Sequence, residues 1–291
     1  MDFVTLTVAG LANGSLYSLV ALGLVLIYKT QDLVNWAHGE ILMIGAFVGY
    51  IVYQILGWSY PLALIAAIVL CGALGALIDR VAFRRLAAEH HITLAMVTVG
   101  LSFTLRGGAR IPFGGDIYTF PPLFKDVPPI VFGAAVISPQ SLVIIGVAVV
   151  LSLALFVLFR STTIGKQMRA TQQNMRGAQF VGINIGRIYA QTWALACAMG
   201  GAAGVLAAPI SLLYPDMGAN FLLKGFAAAV LGGFESIPGA IVGGLLIGVI
   251  ELLFGGYVST TIQHISAFCI IIIVLFVRPH GLFGHKPTHR V

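Results

Sequence analysis

Charged side chains are scarce in this sequence: Asp, Glu, Lys and Arg make up 9% of its 291 residues, against 59% hydrophobic ones, and the mean hydropathy is +0.99. Soluble globular domains carry about 25% charged residues, so this is not one of them. Acids are the scarcer sign, 10 against 16 cations, and none occurs between Arg160 and Asp216. Cysteine is rare too. Cys71, Cys197 and Cys269 lie singly inside apolar runs without ligand spacing, which reads as small core residues. The phosphate-loop signature G-x-x-x-x-G-K-[ST] is missing, because the lone Gly165-Lys166 is followed by Gln167. His38, His90-His91, His264, His280, His285 and His289 form no zinc-ligand pattern. With no nucleophile, metal set or acid–base pair in view, a membrane enzyme is the least favoured class, and no metal or cofactor site is expected. The net charge of +6 makes no case for nucleic acid, since the cations sit in segments bordering long apolar runs.

Eight such runs are present, near 4–28, 37–56, 60–78, 92–108, 138–159, 188–208, 237–255 and 261–277. Most are long enough to cross a hydrocarbon core of about 30 Å. So many crossings must be helices, which satisfy their own backbone groups in lipid. The chain therefore reads as an all-α polytopic membrane protein, one transmembrane domain over 1–291. Met1-Asp2-Phe3 offers no basic n-region, so 4–28 reads as a retained span rather than a signal peptide.

Lys and Arg favour the cytoplasmic side. That rule places Arg80, Arg84 and Arg85 inside, together with the stretch 160–187 and with Arg278, Lys286 and Arg290. The N-terminus and the loop 109–137 then lie outside. That loop is rich in proline, glycine and aromatics and reads as neither helix-forming nor basic; it is a lid, a docking surface or a plain connector. Eight crossings would leave the tail outside, so a ninth is needed. The only candidate is 221–234, short at about 20 Å, with Lys224 and Glu235 snorkelling at its ends.

The cytoplasmic loop 161–187 has a pattern of its own. Met168, Met175 and Ala178 fall within about 40° of Ile164 on a helical wheel, with Arg169, Gln173 and Arg176 opposite. Gly182 offers a stop. An amphipathic helix at that place implies a cytoplasmic partner for its apolar face.

Polar residues inside apolar runs need a partner, a cavity or an interface. Asn35-Trp36-Ala37-His38-Gly39-Glu40 opens the second span. Either Asn35 caps that helix, with Glu40 at the positive end of its dipole, or Gly39 opens a break facing a water-filled path. Leu231-Gly232-Gly233-Phe234-Glu235-Ser236-Ile237-Pro238-Gly239 is either a discontinuous helix near a substrate path or a turn at the outer face. Asn13 and Ser15 are further path candidates, while Glu251 is expected at the cytoplasmic interface. The pairs Gly200/Gly204, Gly239/Gly243 and Gly244/Gly248 read as close helix packing.

Taken in order, four segments resemble one family. They are the first-span stretch Gly10-Leu11-Ala12-Asn13-Gly14-Ser15-Leu16-Tyr17-Ser18-Leu19, the hexapeptide Asn35 to Glu40 with Trp36 where the family has Phe, and two later segments. One is the loop Met168-Arg169-Ala170-Thr171 with Gln173-Asn174, Ala178 and Gly182-Ile183-Asn184; the other is Phe226 to Gly233 followed by Ser236-Ile237-Pro238-Gly239-Ala240. The tail Arg278-Pro279-His280-Gly281-Leu282-Phe283-Gly284 also fits. Together they resemble the permease of bacterial branched-chain amino-acid ABC importers, the LivH-type inner-membrane subunit.

The resemblance implies an assembly in the bacterial inner membrane. This permease would pair with a homologous second permease as a heterodimer, with two ATPase subunits holding ATP-Mg and a periplasmic binding protein that delivers leucine, isoleucine or valine. It assigns Met168, Arg169, Ala170, Asn174, Met175, Ala178 and Gly182 to ATPase coupling. Asn13, Ser15, Asn35, His38, Gly39, Glu40, Gly232, Gly233, Glu235, Ser236 and Pro238 remain candidates for the path. The loop departs from the wider ABC consensus in having Gln172 and Gln173 near an expected acid. Related assemblies carry urea, short amides or other amino acids. The rivals outside the family are a gradient-driven carrier using Glu40, Glu235 or Glu251, and a passive solute channel.

Overall fold

The computed structural model describes residues 3–86, 89–124, 127–133, 135–278 and 281–284. Pro279, His280, His285, Lys286, His289 and Arg290, named above for the tail, lie outside the described residues, as do the side chains of His91 and His264. The helices in chain order are α1 (Phe3–Gln31), α2 (His38–Tyr50), α3 (Tyr60–Val81), α4 (His91–Phe113), α5 (Pro139–Ser161), α6 (Thr163–Gln173), α7 (Met175–Phe180), α8 (Ile185–Ala207), α9 (Met217–Gly232), α10 (Ile237–Tyr257) and α11 (Thr260–Val277). A π-helical stretch, Ile51–Ile55, prolongs α2.

Seven of these helices are long and apolar enough to cross a membrane, and α9 and the Ile265–Val277 part of α11 are shorter apolar ones. Seven full-length helices thus stand where eight were expected, and the short segment expected at 221–234 is the short apolar helix Met217–Gly232.

α1 stands at the centre, with 89% of its most apolar window buried. It is apolar all round, as a helix enclosed on every side must be. Its closest neighbour is α10, and glycine makes the approach possible: a methyl on Gly10 would lie 2.7 Å from Cα of Val249, and one on Gly14 2.8 Å from the carbonyl oxygen of Gly244. Ser18 hydroxyl donates to the Ile241 carbonyl across the same seam. The glycine pairs read as packing devices do pack, Gly204 against α2, Gly243 against α9, and Gly244 with Gly248 against α1.

The ends of the bundle differ in charge. Lys29, Arg84, Arg85, Arg160, Lys166, Arg176 and Arg187 gather where α1, α3, α5 and α9 end and where α6 and α7 lie. By the positive-inside rule that end is cytoplasmic. At the other end α4 runs on to Phe113, followed by a small antiparallel hairpin of β1 (Ile130–Phe132) and β2 (Ala135–Ile137). The loop 109–137 is therefore partly ordered, against the expectation of a segment with no helix. Val136 N–H donates to Thr5 Oγ1, and Tyr118 pairs its backbone with Leu213, so the loop is fastened to the bundle.

Candidate functional site

α1 ends at Asp32, whose left-handed φ of 51° turns the chain sharply. The linker does not stay at the cytoplasmic end. Leu33, Asn35 and Ala37 are buried, and the His38 ring lies against Gly23, which is two turns inside α1, and against Gly200 of α8. α2 therefore starts within the bundle. Asn35 does not cap it: its Oδ1 accepts from Ala37 N–H at 3.0 Å, while Ala37, in the cap position, makes no side-chain bond. Glu40 does sit in the first turn.

α9 starts there too. Gly39 and Gly218 bring the backbones of α2 and α9 together; each is placed so that a methyl would meet the other's carbonyl. The two helices run in opposite directions, yet their N-termini are side by side, so both begin inside the membrane-spanning part. Their positive dipole ends converge on one place. Four charges gather around it. Glu40 accepts from Arg106 at 2.5 Å, Arg106 lies 3.2 Å from Asp216, and Arg110 donates to Asp216 at 2.7 Å. Glu40 is almost fully buried, whereas the side chains of Arg106, Asp216 and Arg110 are 24%, 40% and 53% exposed. Glu40 Oε2 and Arg106 Nε are buried atoms with no hydrogen-bond partner among the described residues. The neighbouring His38 faces the other way, into α1 and α8, and both its ring nitrogens lack a hydrogen-bond partner among the described residues.

A second cluster lies between α1, α9 and α10. Lys224 Nζ donates to Glu251 Oε1 at 2.6 Å and to Tyr17 Oη at 3.1 Å, and the Tyr17 hydroxyl donates to Glu251 Oε2 at 2.9 Å. Neither expected role survives: Lys224 does not snorkel, because it lies mid-helix on a buried carboxylate, and Glu251, 2% exposed, is not at the cytoplasmic surface. Asp216, Arg106 and this triad were invisible as partners in the sequence; the available signal was a few charges inside apolar runs.

The glycine-rich stretch 231–239 is a tight turn from α9 into α10, not a break. Gly233 takes φ 98°, Ser236 accepts from Gly239 N–H as the cap of α10, and Pro238 fills the first turn. It belongs to the cytoplasmic end rather than the outer one, since Leu282 and Phe283 of the tail donate to the carbonyls of Leu231 and Gly232. Gly232 is buried against Gly239, while Glu235 is exposed. Ser15 is buried with its hydroxyl on Leu11 carbonyl, and Asn13 is half-buried.

Glu235 borders a cavity of about 900 Å³ that opens at the cytoplasmic end, shared by the ends of α1, α3 and α8 and by Gln173, Asn174 and Met175. Tyr28 lines it as well. From Tyr28 a chain of rings climbs to the re-entrant linker: Phe234 at 4.9 Å, then Phe226 at 5.4 Å, then Trp36 at 5.5 Å. Aromatic side chains thus fill the space between this cavity and the start of α2.

The cytoplasmic loop is an elbow of two helices, not one continuous amphipathic helix. Thr162 caps α6 by accepting from Gly165 N–H, and Asn174, extended at φ −157° and ψ 99°, ends α6 and caps α7 by accepting from Gly177 N–H at 2.8 Å. Gly182, at φ 84°, closes α7 as expected. The break separates the proposed apolar face. Met168 is fully buried in its own chain and Ala178 nearly so, while Met175 is 46%, Phe180 91% and Val181 77% exposed. Arg169 turns back to the last carbonyls of α5, those of Phe159 and Arg160, and so satisfies a helix C-terminus. Ala170 is half-buried.

A family profile described as branched-chain amino acid transport system, permease component, matches residues 6–277. The chain is 32% identical to the high-affinity branched-chain amino acid transport system permease protein LivH of Escherichia coli strain K12, over 97% of this chain and 96% of that one. It is 31% identical to the corresponding protein BraD of Pseudomonas aeruginosa, over 98% and 96%, and 27% identical to a probable LivH of Methanocaldococcus jannaschii, over 93% and 89%. Among solved structures it is similar to PsaBC from Streptococcus pneumoniae in complex with Fab, with a TM-score of 0.49 and 16% identity over 94% of this chain and 91% of that one. At that score the likeness carries no argument.

Proposed function

We infer, for a chain that belongs to the permease family of branched-chain amino-acid transport systems, that the elbow of α6 and α7 seats the ATPase and that leucine, isoleucine and valine are the cargo. The protein is the membrane-spanning, non-catalytic permease of an ABC transport system, a multi-pass subunit of the inner membrane, and such a system includes ATPase and binding-protein partners. ATP-Mg belongs to the ATPase subunits, and a periplasmic protein delivers the substrate. The second permease is a homologue, making a heterodimer.

One observation carries the docking assignment: Met175, Phe180 and Val181 stand exposed on a capped elbow at the basic end. Apolar side chains presented by a short rigid helix suit a groove on a partner. Docking there would place the ATPase next to Gln173 and Asn174 at the cavity mouth. ATP shifts the permease between states only through a difference in affinity for them, and a rigid elbow transmits that difference. The path then runs by the paired N-termini of α2 and α9, with Asn35, Gly39 and Glu40 at its narrow part.

The test is a tagged chain purified in mild detergent from membranes that also hold its transport partners, with Phe180→Asp and Val181→Asp combined as the variant. The unmodified chain should retain the ATPase and, in proteoliposomes with the binding protein, accumulate leucine with ATP. The variant should lose both while still folding. A variant that keeps its ATPase at unmodified yield overturns the docking assignment, and leucine uptake driven by a proton gradient without ATP overturns the transport class.

A further inference from the structure

Among the membrane-length helices described, α5 has the highest mean hydropathy, 3.2, and only 28% of its most apolar window is buried. Lipid suits the rest. Its inner face packs on α1 and barely reaches α10, which leaves a groove of about 310 Å³ between the three helices. Ser15 and Ser18 of α1 form the floor, Ile241 and Leu245 of α10 one wall, and Val149 and Leu153 of α5 the other. Small floor residues keep the groove deep, and their hydroxyls are turned to carbonyls, Ser15 to Leu11 and Ser18 to Gly14 and Ile241. The floor therefore presents no unmet donor. Val149 and Leu153, both more than half exposed, stand at the open side.

The groove lies in the cytoplasmic half of the membrane. It follows α5 from Ala148 to Phe156, about 12 Å at roughly 1.5 Å per residue. One leaflet of hydrocarbon is about 15 Å deep, half of a core of about 30 Å. At the end nearer the headgroups the charge is positive. Arg160 lies over the Phe156 ring at 5.9 Å, and Lys29 and Arg169 lie over the Phe159 ring at 5.1 and 5.6 Å. Pro238, in the first turn of α10, lines the same end, so the positive pole of that helix adds to the three cations. Glu235, whose charge reaches Lys29, offsets one of them.

We propose that this groove holds one anionic phospholipid of the cytoplasmic leaflet, with an acyl chain laid along Ser15, Ser18 and Val149 and the phosphate among Arg160, Lys29 and Arg169. The groove opens sideways into hydrocarbon, and its length is that of a chain in one leaflet, well short of a spanning helix of about 30 Å. The surplus of positive charge at headgroup depth favours an anionic headgroup over a zwitterionic one. The inference needs the membrane orientation given above and is independent of the cargo and of the ATPase seat.

The test places a bimane label at Val149→Cys in a Cys269→Ser background of the full chain in lipid nanodiscs, Cys71 and Cys197 being buried. Val150→Cys is the control, exposed at the same depth but about 100° round the helix and outside the groove. Phosphatidylglycerol and phosphatidylcholine, each brominated on the acyl chain, are compared as quenchers in a background of unbrominated phosphatidylcholine. At 149 the glycerol lipid should quench at a several-fold lower mole fraction than the choline lipid; at 150 the two should quench alike. Arg160→Gln with Lys29→Gln should erase the preference at 149 and leave quenching by the choline lipid unchanged. Equal quenching by both lipids at 149 overturns the inference, since the groove would then hold bulk lipid. Quenching by neither also overturns it, since protein would then cover the groove. A preference that survives the double variant overturns the placement of the headgroup.

Discussion

Among the described residues, two charged clusters lie inside the membrane-spanning part, and they are built on opposite terms. The Tyr17, Lys224 and Glu251 triad is closed: each carboxylate oxygen has a donor, and the cation has two acceptors within 3.1 Å. The Glu40, Arg106, Asp216 and Arg110 chain is open. It begins on a buried carboxylate, keeps unpartnered atoms at Glu40 and Arg106, and ends on an arginine more than half exposed. A closed cluster fastens helices, here α9 to α1 and α10. An open one, set where two helix N-termini meet, has capacity left for something that comes and goes. Satisfaction of hydrogen bonds, rather than the number of charges, separates scaffold from machinery here.

Substitutions can break that contrast, and the largest effect should come from the closed cluster. Lys224→Met leaves Glu251 unpaired, a loss of about 3–5 kcal/mol for a broken buried pair. Size-exclusion profiles in detergent should show aggregated or missing protein, with recovery on adding Glu251→Gln. A well-behaved single variant would mean that the triad is not a fastening. The open cluster should respond in function instead. Arg106→Gln alone would strip an equally buried Glu40 of its cation, so the variant is paired with Glu40→Gln. The double variant should leave folding and ATPase recovery near normal but lower ATP-driven uptake at least about tenfold, equivalent to 1.4 kcal/mol. An equal loss of folded protein would merge the two classes. Smallest of all, Arg110→Gln removes an exposed contact worth about 1 kcal/mol or less. A melting curve should hardly move, and a large drop would show that the rim is as structural as the core.

The sequence is informative wherever a property is local. Runs of apolar residues yield the helices, and parity with the basic segments points to a further short helix between 209 and 236 before its bounds are known. Gly182 and the caps at Thr162 and Asn184 are equally local. Position along a wheel is less safe, because it presumes one unbroken helix. Asn174 is itself a capping residue, and taking it as such would have split the loop and separated Met168 from Met175. The charge partners are beyond reach by local reading: Glu40 and Arg106 are 66 residues apart, Arg110 and Asp216 are 106, and Tyr17 and Glu251 are 234. The re-entry of the linker before α2 had a trace in Asn35 to Glu40, but only Gly218, far along the chain, reveals that a second helix starts at the same point.

The enclosure of α1 by later helices has a consequence for how the protein is made. The ribosome delivers α1 long before α10, whose Ile241 receives the Ser18 hydrogen bond from 223 residues upstream. During that interval α1 must wait in lipid with its glycine-lined groove uncovered, which its all-round apolar surface allows. Insertion of the first helix and burial of that helix are therefore separate events. A chain halted before α10 would be integrated in the bilayer yet unassembled, its most central helix still lying at the edge.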